Sequence, residues 1–143
     1  MLLLVFPGPS TGAEPLDELH VLINEYRQQA SLPSLERNGE LDRVAARHNS
    51  DMARDGFFAH CAPDGSCLKE RLKTEGYEAH LWAENLAAGH ATAAQVLQAW
   101  HESPDHRQNL RLEQATQIGL SIHPHGNSAV PSPLWTVVLG HPR

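Results

Sequence analysis

Apolar side chains recur at helical spacing over the first half of the chain. Over 16–29 they fall three and four residues apart, which predicts an amphipathic helix that ends before Pro33. A second such pattern covers 39–54, with Asn38 as a suitable N-cap and Gly56 at a position that favours a left-handed residue. The apolar face of this second helix is predicted to contain Leu41, Val44, Ala45, His48 and Met52.

Shorter elements are predicted in the middle of the chain. A helix over 68–75 follows a turn-rich loop, and 81–86 has the pattern of a short extended strand. Another helix is expected over 92–100, where Thr92 and Gln95 match a capping box.

The pattern changes from helical to strand-like in the last third. Ser103 and Pro104 match the N-cap and first residue of a short helix that carries His106 in its first turn. Apolar residues then alternate with small or polar ones over 118–122, and 134–140 is rich in β-branched and aromatic residues. These two segments are predicted to pair as antiparallel strands.

Length and charge limit the fold and the class of partner. The chain has 143 residues, which suits one domain. Eleven Lys and Arg against seventeen Asp and Glu give a net charge of −6, and the sequence contains no basic run. Because nucleic acid binding needs a basic surface, nucleic acid is not an expected partner.

The first thirteen residues are apolar and then rich in small and turn-forming residues. This order is typical of the end of a secretory signal peptide, with cleavage near Gly12 and Ala13. No Lys or Arg precedes the apolar run, and the run is shorter than usual, so 1–13 is expected to be a truncated signal or the result of a wrongly chosen start codon. The segment is too short to span a bilayer. A secreted or periplasmic domain is therefore predicted at 14–143.

Two cysteines, Cys61 and Cys67, flank a turn-rich sequence. The turn could bring the two sulfurs together, and a disulfide there agrees with export. Two free thiols, or half of a zinc site that includes His60, are the alternatives.

Seven short segments occur in a fixed order between residues 23 and 140. They are INEYR, GFFAH, AEN, AW, SPDHRQNL, QIGLSI and LWTVVLG. Each is a weak signal alone, but together they are specific. The series resembles bacterial members of the CAP superfamily, which comprises cysteine-rich secretory proteins, antigen 5 and pathogenesis-related 1 proteins. The resemblance covers nearly the whole chain.

This resemblance implies an α+β fold, an α-β-α sandwich whose mixed, mostly antiparallel sheet lies between helical layers. It also implies secretion and a surface cleft with two His and two Glu. The first His matches His60, after GFF, and the first Glu matches Glu84, in AEN. The second His matches His106, which lies thirteen residues before Gly119.

The second cleft Glu is a departure from the family pattern. The family places it three residues after the helix tryptophan, where this chain has Ser103. Glu102 lies one position earlier and would point about 100° away on a helix. Whether either residue replaces the missing carboxylate stays open, so only two His and one Glu of the family's cleft are carried over to this chain.

The expected chemistry of the cleft follows from these groups. Two imidazoles and one carboxylate suit a divalent metal such as zinc, so His60, Glu84 and His106 are the expected ligands. Weak binding is favoured over a dedicated site, because the ligands are few and lack a motif such as HExxH. Glu84 could instead orient the cleft by hydrogen bonding, and no cofactor is expected to be required.

Three classes of function stay open. The leading one is a non-enzymatic, monomeric exported domain that binds a ligand, metal or protein partner through the cleft. The runner-up is a metal-dependent hydrolase of peptide or cell-envelope material, with His60, Glu84 and His106 as candidate catalytic groups; neither Ser66 nor Ser103 lies in a nucleophile motif. The third is a lipid or sterol carrier whose groove the aromatic residues would line; the alternative is that these residues pack in the core. Those residues are Phe57, Phe58, Trp82, Trp100 and Trp135.

Overall fold

The computed structural model describes residues 14–143. Their helices are α1 (Pro15–Gln29), α2 (Gly39–Asp55), α3 (Leu68–Thr74), α4 (Ala93–Glu102) and α5 (Pro104–Leu110). Their strands are β1 (Glu36–Arg37), β2 (Ala79–Ala88), β3 (Gln117–His123) and β4 (Leu134–Pro142). None of these helices is both long and apolar enough to cross a membrane. The predicted signal segment at 1–13 lies outside the described residues and stays a prediction.

The strands form one mixed sheet in the order β1-β3-β4-β2. β3 and β4 pair antiparallel, as their patterns predicted, and β2 pairs antiparallel with the other side of β4. β1 pairs parallel with β3 and was not predicted, because two residues are too few to show a period. As a result β2 forms one edge of the sheet.

Helices cover both faces of the sheet, which confirms the α-β-α sandwich. Alternate residues of β4 point to opposite faces. Val138 packs in a core with residues of α2 and α3, whereas Val137 packs in a core with residues of α1 and α4. The edge strand β2 follows the same alternation, so the neighbouring residues Glu84 and Asn85, which pair with Val138 and Val137, face different helical layers.

Local capping explains why the helix bounds were close to those predicted. The side chain of Asn38 accepts from the backbone of Leu41, and Gly56 adopts a left-handed φ of 73°. Thr92 caps α4 by accepting from Gln95, but the Gln95 side chain bonds the backbone of Ala91 instead of closing the predicted capping box.

The start of α5 differs from the prediction in one detail. Pro104 is the first helical residue, as expected, but the Ser103 side chain makes no capping hydrogen bond. Ser103 is the C-cap residue of α4 as well as the N-cap residue of α5, so the two helices follow each other without a loop.

Close packing holds α2 against β3. A Cβ added at Gly119 would overlap the backbone of Leu41 and Asp42, so only glycine fits there. The Asp42 side chain accepts a hydrogen bond from the backbone of Leu120 at 2.9 Å. These contacts fix the start of α2 against the sheet. They thereby also position His48, two turns later in the helix, over the face of the sheet that carries Glu84.

Candidate functional site

A buried ion pair organises the site. Nη1 and Nη2 of Arg71, on α3, donate to the two carboxylate oxygens of Glu84 at 2.7 and 2.9 Å. The side chains of Arg71 and Glu84 are only 5% and 2% exposed. Nη2 of Arg71 also donates to the backbone carbonyl of His60 at 3.1 Å. Arg71 therefore connects α3, the edge strand and the loop that carries His60.

Glu84 is held as a carboxylate. Burial alone would raise its pKa, but hydrogen bonds from His60 and Arg71, together with the positive charges of Arg71 and His48, outweigh burial and lower the pKa below its ordinary value. Because both oxygens accept from Arg71, Glu84 has little capacity left to bind a further cation.

His60 is oriented by that carboxylate. Its Nδ1 lies 3.0 Å from Oε1 of Glu84 and is the donor, because the carboxylate is ionised. In the neutral imidazole the lone pair therefore belongs to Nε2. The His60 side chain is 54% exposed, so this imidazole is available to a ligand in solution.

His48 is a second buried group that sequence reasoning did not assign to the site. It lies on α2, with Nε2 3.9 Å from Oε1 of Glu84 and 2.7 Å from the carbonyl oxygen of Ala59. A carbonyl only accepts, so this nitrogen carries a proton and is not a metal donor. Burial is the main cause that lowers the pKa of His48 below 6.5. Its place on the predicted apolar face of the helix was the available signal.

Arg71 was also missed. It lies between Leu68 and Leu72, which are buried, in a helix that also contains Lys69 and Lys73. An arginine flanked by buried leucines on a short helix is a weak signal. The sequence alone does not show which of the three cations turns inward.

His106 reaches the region from the other helical layer. Asn85 donates to the backbone carbonyl of His106 at 2.9 Å, and Asn109 donates to the carbonyl of Glu84 and the side-chain oxygen of Asn85 at 3.1 and 2.9 Å. These bonds attach α5 to the edge strand, so both asparagines serve as scaffold for the site.

The His106 imidazole lies within electrostatic range of His60. Burial lowers the pKa of His106 below its ordinary value, and the positive charge of His60 lowers it further. The neutral form is therefore favoured. His106 lines a concavity of about 390 Å³ with Phe58, Trp100 and Ser103, whereas His60 and Glu84 line a concavity of about 300 Å³. The structure thus joins His60 and Glu84 directly and places His106 in a separate surface concavity.

Within residues 14–143, neither Ser103 nor Glu102 supplies the missing carboxylate to the His106 concavity, although the nearby charge of Asp105 acts to raise the pKa of His106. Ser103 lines the His106 concavity. Glu102 instead accepts a hydrogen bond from Gln98 at 2.9 Å and lines a different concavity with His90. The departure from the family pattern therefore removes a negative charge from the cleft.

The cysteine alternatives are decided in favour of the disulfide, since Cys61 and Cys67 are bonded. No thiol nucleophile is therefore left beside His60. The hydroxyl of Ser66 donates to Asp64 at 2.6 Å in an exposed turn and bonds no imidazole.

The aromatic residues divide between core and surface. Trp100 and Trp135 are 1% and 0% exposed, and their indole nitrogens donate to backbone carbonyls. Phe57 and Phe58 are partly buried against a small core cluster. Only Trp82 is substantially exposed, at 40%, so the five residues do not form one continuous apolar groove.

The side chains of the site offer few donors for the expected metal. Within residues 14–143, no group of three or more His, Cys, Asp or Glu side chains is arranged to hold a metal ion. Glu84 is occupied by Arg71, which leaves Nε2 of His60 and the imidazole of His106 as possible donors. These two imidazoles line separate concavities, and Glu84 is the carboxylate that orients His60, so the donor set suits at most a weakly held ion. The assignment of all three residues as ligands stays a prediction.

Curated relatives match most of this chain. The uncharacterized protein YkwD of Bacillus subtilis (strain 168) is 29% identical over 129 residues, which are 90% of this chain and 48% of that protein. The uncharacterized membrane protein YlbC of the same organism is 27% identical over 101 residues, which are 71% of this chain and 29% of that protein. The chain therefore spans less than half the length of these relatives.

Solved structures share the fold. An extracellular protein containing an SCP domain from Bacillus anthracis str. Ames has a TM-score of 0.76 and 28% identity, covering 96% of this chain and 46% of that one. An outer surface protein of Borrelia burgdorferi has a TM-score of 0.81 and 22% identity, covering 90% and 93%. The family model described as the cysteine-rich secretory protein family, CAP, matches residues 21–139. The chain belongs to the CAP family.

Proposed function

We propose that this CAP domain is an exported, non-enzymatic binding module whose exposed imidazole, His60, contacts a ligand, a metal ion or a protein partner together with His106. The observation that carries the proposal is the buried Arg71–Glu84 pair, in which both carboxylate oxygens are occupied. Glu84 is thereby removed as a free base or ligand and becomes the support that orients His60.

Export is supported by two observations. The disulfide between Cys61 and Cys67 is of a kind that persists in oxidising compartments. The Bacillus anthracis relative at 28% identity is described as extracellular. A secreted or periplasmic location is part of the proposal.

Metal binding through this site would be weak. A zinc-like ion would be held by Nε2 of His60 and by His106, with water in the other positions. The neutral form of His106 is favoured by its lowered pKa, and neutral imidazole is the form that ligates. However, the guanidinium of Arg71 lies on Glu84 and opposes a second cation nearby. The ion would supply Lewis acidity, and the protein residues would only position it.

The alternative is a metal-dependent hydrolase, and one observation favours it. The Glu84–His60 contact leaves a basic nitrogen on an exposed imidazole, which is the form a general base requires. Against it, Ser103 stands where the family has a second carboxylate, and no nucleophile bonds His60 within the described residues.

Two measurements test the proposal. Zinc titration by calorimetry should show weak binding that the His60→Ala variant loses and the His125→Ala variant keeps, since His125 is exposed elsewhere on the surface. Peptidase and esterase assays with added zinc should show no turnover above the zinc-only rate. Zinc-dependent turnover that is lost in His60→Ala and kept in His125→Ala would replace the binding module by the hydrolase.

A further inference from the structure

A groove lies between α3 and the beginning of the edge strand β2. Its volume is about 350 Å³, within the range of small-ligand sites. Its principal lining residues are Lys69, Leu72, Lys73, Tyr77, Trp82 and Arg143, and we call it the Trp82 groove. Lys69 and Trp82 also line the concavity that contains His60, so the two concavities meet at these side chains.

An exposed indole forms one wall of the groove. Trp82 is 40% exposed, whereas Trp100 and Trp135 are buried in the core. Tyr77 also lines the groove but is only 4% exposed, and its hydroxyl donates to Gln117 at 2.7 Å. The exposed aromatic surface of the groove is therefore the indole of Trp82, with no free hydroxyl from Tyr77, and it suits a ligand with a flat or cyclic body.

Positive charge is concentrated at the same place. Lys69 and Lys73 are the only lysines of the chain, and they lie four residues apart on α3, so they project from the same side of the helix. Within residues 14–143 neither lysine has a carboxylate partner, whereas five arginines do. In a chain with a net charge of −6, the Trp82 groove is a local cationic surface.

Arg143 adds a third cation to the rim. Its backbone N–H donates to the carbonyl of Glu78 at 2.9 Å, and its Nε donates to the carbonyl of Ala79 at 3.3 Å. These bonds hold the guanidinium beside the groove. Glu78 is the one side-chain carboxylate among the lining residues, against the three side-chain cations of Lys69, Lys73 and Arg143, so positive side-chain charge predominates at the groove.

The edge strand argues against an extended peptide as the occupant. Peptides often bind by adding a strand to a sheet edge. Here the backbone carbonyls of Glu84 and Leu86 already accept hydrogen bonds from the side chains of Asn109 and Trp100. Strand addition is therefore blocked over residues 84–86. At the groove itself, beside Ala79 and Trp82, the exposed indole and the cations are the groups that can recognise a ligand.

We propose that the Trp82 groove binds an acidic oligosaccharide, with a sugar ring stacked on Trp82 and its carboxylates paired with Lys69 and Lys73. Sugar rings supply the flat apolar face, and the sparse carboxylates match a few separated cations. A densely charged polyanion would be repelled by the acidic remainder of the chain. This site goes beyond the proposed function, because it depends on neither His60 nor His106.

The first test titrates the protein with tetragalacturonate at low salt and follows tryptophan fluorescence and acrylamide quenching. Trp82 is the quenchable indole, so the acidic sugar should protect it, and added salt should reverse the protection. Maltotetraose, a neutral sugar of equal length, should bind at least about tenfold more weakly, as expected when several charge pairs are lost. Equal binding of both sugars, or binding of neither, would overturn the proposal.

Charge-matched variants provide the second test. By calorimetry, Lys69→Gln with Lys73→Gln should weaken tetragalacturonate binding by about fivefold or more, since each exposed pair contributes up to about fivefold. Arg47→Gln with Arg54→Gln removes the same charge from exposed positions on α2 outside the groove and should leave binding unchanged.

Two single variants complete the test. Trp82→Ala should abolish tetragalacturonate binding, and His60→Ala should retain it, which separates this site from the proposed function. Equal weakening in the lysine and arginine double variants, or tighter binding of a tetraglutamate peptide than of the sugar, would refute the assignment.

Discussion

Replacing Arg71 by methionine removes the cation that holds Glu84 while keeping an unbranched side chain on α3. The Glu84 side chain is 2% exposed and would retain only His60 as a hydrogen-bond donor among the contacts seen here. A buried carboxylate without its cation is strongly disfavoured. We therefore expect Arg71→Met to lose stability and to raise the pKa of Glu84 above its native value.

The magnitude follows from the contacts that are lost. Removing one partner of a buried ion pair costs about 3–5 kcal/mol. Arg71 makes two hydrogen bonds to Glu84 and one to the backbone of His60, which places the expected loss within this range. With a urea m value of about 2 kcal/mol/M, the unfolding midpoint should fall by about 1.5–2.5 M.

Urea unfolding followed by circular dichroism at neutral pH is the assay. Adding Glu84→Gln to Arg71→Met should recover much of the lost stability, because neither charge then remains buried. Arg47→Met, at an exposed arginine 3.9 Å from Asp51, is the control and should change the free energy of unfolding by less than about 1 kcal/mol. A loss below about 1 kcal/mol in Arg71→Met, or a double variant as unstable as the single one, would refute the ion pair as the organiser of the site.

Three further predictions concern stability. Burial lowers the pKa of His48 from 6.5, so below that pH the unfolded state binds a proton that the folded state does not, and the free energy of unfolding decreases as the pH is lowered. The urea midpoint should therefore change less between about pH 7 and 5 in His48→Gln than in the wild type, and an equal change in both would contradict this. Gly119→Ala should cost about 3 kcal/mol through overlap with the Leu41 backbone, and an unaltered melting temperature would contradict that packing. Cys61→Ser with Cys67→Ser should cost about 2 kcal/mol, and reductant should destabilise the wild type equally but not the variant.

Elements that are specified by local sequence were predicted closely. Asn38 and Gly56 bound α2 as expected, because a cap and a left-handed residue act within one turn of the chain. Elements that depend on distant partners were predicted less well. β1 exists only because Glu36 and Arg37 pair with β3, and β2 extends beyond the predicted 81–86 because its register with β4 continues to Ala88.

The site shows the same division. His60 and Glu84 were identified by resemblance, and their contact depends on the fold that the resemblance implied. Arg71 is one of several charged residues in α3, and only the position of the helix against the edge strand determines which of them is buried. Short segments with mixed charge carry little periodicity, so sequence reasoning could not select Arg71.

The charge balance of the cleft follows from two residues that the sequence pattern did not resolve. Arg71 neutralises Glu84, and Ser103 lines the His106 concavity where the family pattern has a carboxylate. The cleft therefore offers imidazoles without a free carboxylate, and its neighbour across Trp82 is cationic. Divalent cations are attracted by unpaired carboxylates, whereas anions are attracted by unpaired cations. The positive charge of Arg71 weakens a metal site at His60 and strengthens an anion site at Lys69. Replacing Arg71 by a neutral residue should therefore raise the affinity for metal and lower the affinity for acidic ligands.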